Sequence, residues 1–298
     1  MFEGFQSVEI DTGATQIFAR RAGSGPPVLL LHGFPETHLM WRDVAPRLAE
    51  TYTVVCADLR GYGRSGCPES TPDHAPYSKR ALAADMLALM DRFGFPHFSV
   101  AGHDRGGRVA QRMALDAPDQ VDALAVLDVI PVSEAWDRAD DRLALAFWPW
   151  SLLAQPLPLP ETILTRCGDA IVADAAANWG SGRAIAEEVQ REYADMLQDA
   201  ARAHAICEEY RAAAAIDRDH DRQDREAGRK IVCPTLALWS EAGPLSAWYE
   251  AEGGPLAIWR SWCENVHGRP VDGGHFFPEE RPSETAKALS FFLGEADG

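Results

Sequence analysis

The stretch that decides the fold reads Ser99-Val100-Ala101-Gly102-His103-Asp104-Arg105-Gly106-Gly107-Arg108. An apolar run, expected to be a strand, leads into a glycine-flanked turn and then into the start of a helix. The spacing Gly102-x-Asp104-x-Gly106 is the pattern of a nucleophile elbow, with aspartate where serine usually stands. Small neighbours are required because the central residue of such a turn has a strained backbone. The alternative is that Asp104 only caps the following helix, since aspartate is a preferred N-cap.

Apolar runs and helical patterns alternate on both sides of this turn. The alternation is typical of an α/β fold in which helices flank a mainly parallel central sheet. The expected strands are residues 28–31, 53–57, 98–101, 124–127, 233–239 and the short run 270–271. The expected helices of this part are residues 77–92, 106–115 and 283–293.

The character of the sequence changes after residue 132. Tryptophan and proline are frequent at first, alanine-rich helical patterns follow, and no strand pattern is present. We therefore predict a helical cap, or lid, over residues 133–221. It would be inserted into one core domain formed by residues 1–132 and 222–298.

Composition excludes several classes of partner and cofactor. The formal net charge of -17 would repel nucleic acid and anionic membranes. The most apolar internal stretch, residues 143–159, contains three prolines, which disfavours a membrane helix. The six cysteines form no CxxC pair, so neither a metal cluster nor a disulfide framework is indicated. Because the N-terminal sequence lacks the pattern of a secretion signal, we expect a cytoplasmic protein.

Two further segments suit acyl-transfer chemistry. His32-Gly33-Phe34-Pro35 directly follows the first expected strand, where the fold supplies one backbone N–H to an oxyanion hole. The second donor comes from the residue after the nucleophile, so Phe34 and Arg105 are the expected pair. His275 lies in a glycine-rich loop before the last helix, the place of a catalytic base. The alternative for His275 is a structural role.

Two acids compete to orient His275. Asp128 ends the strand 124–127, whereas Glu241 follows the strand 233–239. We favour Asp128, because it directly terminates an apolar run and precedes the cap. Asp104, Asp128 and His275 are therefore the predicted catalytic residues.

With these motifs in place, the chain resembles the haloacetate and fluoroacetate dehalogenases of the α/β-hydrolase superfamily. The resemblance extends over nearly the whole chain and includes lid segments. It is carried by residues 32–38 (HGFPETH), 58–63 (DLRGYG), 102–108 (GHDRGGR) and 273–276 (GGHF). It implies hydrolysis of a short 2-haloacid to the hydroxy acid and halide through an aspartyl ester, without metal or organic cofactor. It also implies a homodimer.

Two arginines suggest that the substrate is a small anion. Arg105 and Arg108 are three residues apart at the start of the helix after Asp104, and arginine offers a fork of donors suited to carboxylate. The local positive charge explains how an acidic protein would attract an anion. The alternative is that both arginines pair with structural acids such as Asp58 or Asp128.

The departing halide needs hydrogen-bond donors from the lid. By resemblance these are the Trp150 indole N–H and the Tyr210 hydroxyl, with core packing as the alternative; for Trp148 and Trp179 we expect packing. Fluoroacetate dehalogenases usually carry a histidine directly before the lid tryptophan, but this chain has Pro149, which has no donor. We therefore predict that chloroacetate or bromoacetate is hydrolysed better than fluoroacetate.

Two other functions compete with this interpretation. An epoxide hydrolase would share the aspartate and histidine and would need lid tyrosines, for which Tyr193 and Tyr210 are available. The paired arginines would restrict such an enzyme to acidic epoxides. A ligand receptor that keeps the pocket without turnover is disfavoured, because all three predicted catalytic residues are present.

Overall fold

A computed structural model describes residues 1–180 and 185–296 of the chain. Residues 181–184, inside the expected cap, and residues 297–298 lie outside this description. The described residues contain one eight-stranded sheet. Its strands are β1 (Gln6–Asp11), β2 (Gln16–Ala22), β3 (Pro27–Leu31), β4 (Thr53–Ala57), β5 (Phe98–His103), β6 (Val121–Leu127), β7 (Thr235–Ser240) and β8 (Val266–Val271).

The strand order is β1-β2-β4-β3-β5-β6-β7-β8. The pairs β1–β2 and β2–β4 are antiparallel, and every other neighbouring pair is parallel. The mainly parallel sheet predicted from the sequence is therefore confirmed. The two N-terminal strands were not predicted. β1 lies at the edge of the sheet and only half buries Val8 and Ile10, so its apolar pattern is weak.

Helices cover the sheet on both faces, and the central strands are buried accordingly; all five residues of β4 are buried. The helices of the core are α1 (Ala45–Leu48), α2 (Lys79–Arg92), α3 (Asp104–Asp116), α11 (Pro244–Trp248), α12 (Gly254–Arg260), α13 (Phe277–Glu280) and α14 (Pro282–Ala296). Short 3₁₀ helices span His38–Trp41, Ala75–Tyr77 and Glu250–Glu252. Helix α2 begins two residues later than predicted, because the Ser78 hydroxyl caps it by accepting the N–H of Ala81.

A helical segment connects β6 to β7, as predicted for a cap. Its helices are α4 (Val132–Asp137), α5 (Asp141–Ala146), α6 (Trp148–Leu153), α7 (Leu159–Asn178), α8 (Glu187–Gln198), α9 (Ala200–Ala214) and α10 (Ile216–Glu226). The expected boundaries at residues 132/133 and 221/222 each fall inside a helix. Among the described residues, no helix combines the length and apolar character that a membrane crossing requires.

The topology gathers the functional candidates at one edge of the sheet. Strands β3, β5, β6, β7 and β8 run in parallel, so their carboxyl ends meet at the same edge. Asp104 follows β5, Asp128 follows β6, Phe34 lies in the loop after β3, and His275 lies in the loop after β8. Ligand sites of open α/β sheets lie at this edge, and here the helical segment covers it.

Candidate active site

The backbone of Asp104 adopts a conformation that side-chain-bearing residues rarely take, with a φ of 44°. A Cβ atom at Gly102 would lie 2.3 Å from the carbonyl oxygen of Gly106, and one at Gly106 would lie 2.5 Å from the carbonyl oxygen of His32. Neither contact is sterically possible, so both positions require glycine. The local sequence thus produces a tight turn with Asp104 at its apex.

The Asp104 carboxylate does not bond to the backbone N–H groups at the start of α3, as a helix cap would. Oδ1 accepts from Nη1 of Arg108 at 2.9 Å, and Oδ2 accepts from the backbone N–H of Phe34 at 3.2 Å. The N-cap of α3 is His103, whose side chain makes no capping bond. These contacts do not match the alternative in which Asp104 only caps the helix.

The charges around Asp104 keep its carboxyl group ionised. Burial acts to raise the pKa of Asp104, but the neighbouring guanidinium charges, that of Arg108 before that of Arg105, hold this pKa well below its usual range. A buried carboxylate that is both ionised and 9% exposed is a suitable nucleophile.

His275 and Asp128 form the expected pair. The Nδ1 atom of His275 lies 2.7 Å from Oδ2 of Asp128, and both side chains are buried. Asp128 Oδ1 accepts the backbone N–H of Ser240 at 2.8 Å, which fixes the carboxylate between two donors. Glu241, the competing acid, is exposed. The structure therefore brings His275 together with Asp128 rather than with Glu241.

Asp104 and His275 face one small cavity of about 30 Å³. A single buried water needs roughly 10–15 Å³ by the same kind of measure, so the cavity has room for about two water molecules. Core and cap contribute to its wall in similar numbers. The lining residues are Phe34, Asp104, Arg108, Asp128, Phe147, Pro149, Trp150, Trp179, Tyr210, Leu245 and His275.

The two arginines expected to act together lie in different surroundings. Arg108 lines the cavity, whereas Arg105 does not and is fully buried against Glu209 of α9. The Arg105 Nε lies 2.8 Å and Nη2 lies 2.7 Å from carboxylate oxygens of Glu209. Its remaining nitrogen, Nη1, is buried and has no hydrogen-bond acceptor in the described part of the chain.

This arrangement modifies the predicted carboxylate site. Arg105 is held by an acid, as the alternative interpretation supposed, but the acid is neither Asp58 nor Asp128. Glu209 was missed because it comes from the cap, far away in sequence. The sequence offered one indication that Glu209 lies near the site, namely its position directly before the predicted halide donor Tyr210. Of the two arginines only Arg108 lines the cavity, because Nη1 of Arg105 is buried outside the cavity wall.

The predicted halide donors both reach the cavity. Trp150 lies on α6 and Tyr210 on α9, and neither donor group bonds to an acceptor within residues 1–180 and 185–296. The guanidinium carbon of Arg105 lies 3.9 Å from the Tyr210 ring centroid, and that of Arg108 lies 4.6 Å from the Trp150 ring centroid. Burial raises the pKa of Tyr210 well above its usual value, so its hydroxyl stays protonated.

Of the expected oxyanion donors, the Phe34 N–H already bonds to Asp104. The Arg105 N–H lies in the first turn of α3, where helix donors have no intrahelical acceptor.

Trp179, for which packing was expected, also lines the cavity, and so does Phe147, which was not predicted. Across the described residues, no group of three His, Cys, Asp or Glu side chains is placed to hold a metal ion.

Comparison with known proteins agrees with this geometry. The family model for the alpha/beta hydrolase fold matches residues 26–282. The chain is 43% identical to a fluoroacetate dehalogenase from Burkholderia sp, over 99% of this chain and 96% of the relative. It is 33% identical to a soluble epoxide hydrolase from Corynebacterium sp. (strain C12), over 91% of each chain.

Solved structures show the same similarity. A structure of an alpha/beta hydrolase from Nostoc sp PCC 7120 superposes with a TM-score of 0.94 at 43% identity, covering 98% of this chain and 99% of the other. The same family is indicated by the fold, by the sequence identity over nearly the full length and by the turn that carries Asp104. The chain is a dehalogenase-type hydrolase and belongs to the haloacetate dehalogenase family of the α/β-hydrolase superfamily.

Proposed function

We propose that the protein hydrolyses short 2-haloacids, converting a haloacetate to glycolate and halide through an ester on Asp104. The observation that carries the proposal is the ionised Asp104 carboxylate, which shares a small cavity with the His275–Asp128 pair and with Arg108. A nucleophile, a base and an anion-binding group thus surround one space. The reaction requires no metal or organic cofactor.

In the first step, Asp104 attacks the carbon that bears the halogen. A carbon–oxygen bond forms as the carbon–halogen bond breaks, and the halide leaves with the bonding electron pair. Arg108, which lines the cavity, holds the substrate carboxylate. The unbonded donors of Trp150 and Tyr210 bind the departing halide.

In the second step, His275 removes a proton from water. The resulting hydroxide attacks the carbonyl carbon of the Asp104 ester, and the N–H groups of Phe34 and Arg105 stabilise the oxyanion. Collapse of this intermediate breaks the ester bond, and the departing alkoxide oxygen of glycolate takes back the proton held by His275. The Asp104 carboxyl group loses the remaining water proton to solvent, which regenerates the carboxylate. Asp128 stabilises the imidazolium that His275 becomes.

The size of the cavity supports a small substrate. The cavity beside Asp104 has about 30 Å³ of free space, which is too little for a long acyl chain at the nucleophile itself, and a cavity of about 430 Å³ adjoins it at Phe147, Trp179 and His275. The aromatic rings of Trp150, Phe147 and Trp179 form part of the wall. We therefore propose that acids with two or three carbon atoms are preferred.

Pro149 bears on the choice of halogen. It lines the cavity next to Trp150 and contributes no N–H donor. Fluoride is a compact, strongly hydrated ion, so its release depends most on donors. We propose that chloroacetate and bromoacetate are hydrolysed faster than fluoroacetate.

The proposal is tested by incubating the purified protein with chloroacetate, bromoacetate and fluoroacetate separately and measuring halide and glycolate. We expect equal amounts of both products, with activity abolished in Asp104→Asn. His275→Ala should release no more than one halide per active site. Absence of halide with all three substrates would contradict the haloacetate proposal.

Epoxide hydrolysis is the second candidate, because several similar proteins are epoxide hydrolases. Such chemistry was expected to use lid tyrosines. Tyr210 lines the cavity, but the hydroxyl of Tyr193 donates to Glu279 Oε1 at 3.3 Å and Tyr193 is not part of the cavity wall. This geometry favours dehalogenation. Formation of a diol from a small epoxy acid, with no halide released from any haloacetate, would instead support the epoxide hydrolase.

The family resemblance and the charge support two further proposals. We propose that the protein is a homodimer and that it acts in the cytoplasm on a small anionic substrate. With a net charge of -17, it should bind neither nucleic acid nor anionic membranes. Light scattering coupled to size-exclusion chromatography tests the dimer, and a single-chain mass would contradict it.

A further inference from the structure

His103, the residue before the nucleophile, is fully buried and faces an acceptor with each ring nitrogen. Nδ1 lies 2.9 Å from Oε2 of Glu36, and Nε2 lies 2.8 Å from the backbone carbonyl oxygen of His275. Neither His103 nor Glu36 is exposed to solvent. The sequence pattern did not assign a role to either residue.

The two acceptors determine the protonation state of His103. A neutral imidazole carries one N–H and one lone pair, so it would face one of these oxygens with a lone pair. An imidazolium donates to both. Burial acts to lower the pKa of His103, but the charge of Glu36 and its hydrogen bond, followed by the charges of Asp104 and Asp128, raise this pKa to about 9.

The bond to His275 is one of several that restrain its loop: the Ser240 hydroxyl donates to the Gly273 carbonyl oxygen at 2.6 Å, and the Gly274 N–H donates to Glu280 Oε2 at 2.6 Å. His275 follows two glycines, and Gly273 has a φ of 135°. The backbone N–H of His275 donates to the carbonyl oxygen of Trp179 in the cap at 2.7 Å, and its ring is bonded to Asp128. The carbonyl bond to His103 is therefore the backbone link between His275 and the strand that carries the nucleophile.

We infer that His103 is a positioning residue for His275: as an imidazolium anchored by Glu36, it holds the His275 carbonyl and thereby keeps the base in the cavity that contains Asp104. This inference rests on the proposed function, in which His275 acts only in the second step. A positioning role for His103 therefore affects hydrolysis of the ester more than its formation.

Two matched variants separate this role from general packing. In His103→Gln the side-chain amide nitrogen takes the place of Nε2 and keeps a donor for the His275 carbonyl. In His103→Asn the amide nitrogen takes the place of Nδ1, facing Glu36, and the bond to His275 is lost. Both variants remove the same ring and the same charge. His38→Gln is a control, because it removes a buried histidine that is bonded to Asp58 at 2.8 Å and, within residues 1–180 and 185–296, has no hydrogen bond to His275.

The experiment measures both steps in single-turnover reactions with chloroacetate, using rapid quenching for halide and intact mass for the ester. We expect His103→Asn to form the ester and to hydrolyse it roughly 10- to 100-fold more slowly, because small misplacements of a catalytic group have effects of this size. His103→Gln should hydrolyse the ester several-fold faster than His103→Asn. His38→Gln should resemble the wild type.

Equal slowing of both steps in His103→Asn, or unchanged ester hydrolysis, would overturn the inference. If the variants do not fold, nitrogen NMR of the wild-type protein decides instead, since a single protonated ring nitrogen on His103 at neutral pH would also overturn it. Failure of the wild type to release any halide would contradict the proposed function itself. That outcome can be distinguished from the kinetic and the NMR results that would overturn the role of His103.

Discussion

Replacing Pro149 with histidine should shift the halogen preference toward fluoride. Pro149 lines the cavity beside Trp150, so a histidine at this position would add an N–H donor to the space that the departing halide occupies. A hydrogen bond to a charged group contributes about 1.5 to 3 kcal/mol. At 1.36 kcal/mol for each tenfold change in rate, the kcat/KM for fluoroacetate should rise roughly 10- to 150-fold, and that for chloroacetate should rise less, because chloride is the weaker hydrogen-bond acceptor.

The assay compares fluoride and chloride release by the wild type, Pro149→His and Pro149→Leu at matched substrate concentrations. The leucine variant is the matched control, because it removes the proline ring and its backbone constraint without adding a side-chain donor. An unchanged ratio of fluoroacetate to chloroacetate activity in Pro149→His would refute the reasoning. An equal shift in Pro149→Leu would refute it too, by assigning the effect to the backbone. A wild type that already prefers fluoroacetate would contradict the premise.

Two further predictions concern the charges around the site. The pKa of Asp104 is held below its usual value of about 3.9, so the carboxylate stays ionised at mildly acid pH. The rate of the single halide burst in His275→Ala should therefore be constant between about pH 7.5 and pH 5, and a decline through this range would contradict an ionised nucleophile. Replacing Glu209 with alanine leaves Arg105 buried without its acid and should lower the free energy of unfolding by about 3 to 5 kcal/mol, measured by urea denaturation. The same change at Glu9, an exposed acid, should alter it by less than about 1 kcal/mol; equal effects at the two positions would refute the argument.

The central strands could be predicted from the sequence because they are buried on both faces and read as continuous apolar runs. The edge strand β1 could not, since its residues are half exposed and its pattern is weak. The turn at Asp104 was predictable for a different reason. Its glycines are required by contacts with nearby backbone atoms, so the constraint is visible in the sequence itself.

The predictions for the site depended on how local each interaction is. That Asp104, Asp128 and His275 lie close together could be predicted, because each follows a strand and the carboxyl ends of parallel strands meet at one edge of the sheet. The partner of Arg105 was not identified, because Glu209 reaches it from a cap helix about a hundred residues away, and nothing in the local pattern specifies how that helix docks. The bonds of His103 were missed because its partners, Glu36 and the His275 carbonyl, lie in two other loops of the core, and the local pattern does not specify how those loops pack.

By itself the sequence determined the α/β core, the aspartate turn and the residues that meet at the edge of the sheet, because periodicity and strand order specify them. The size of the cavity, its lining and the partner of Arg105 were decided by how the cap docks on the core. This docking closed the space above Asp104 to about 30 Å³, placed Trp150 and Tyr210 in its wall, and paired Arg105 with Glu209 so that Arg108 faces the cavity. These features arise from packing between segments distant in sequence, where side-chain volume and charge pairing act only once the chain has folded.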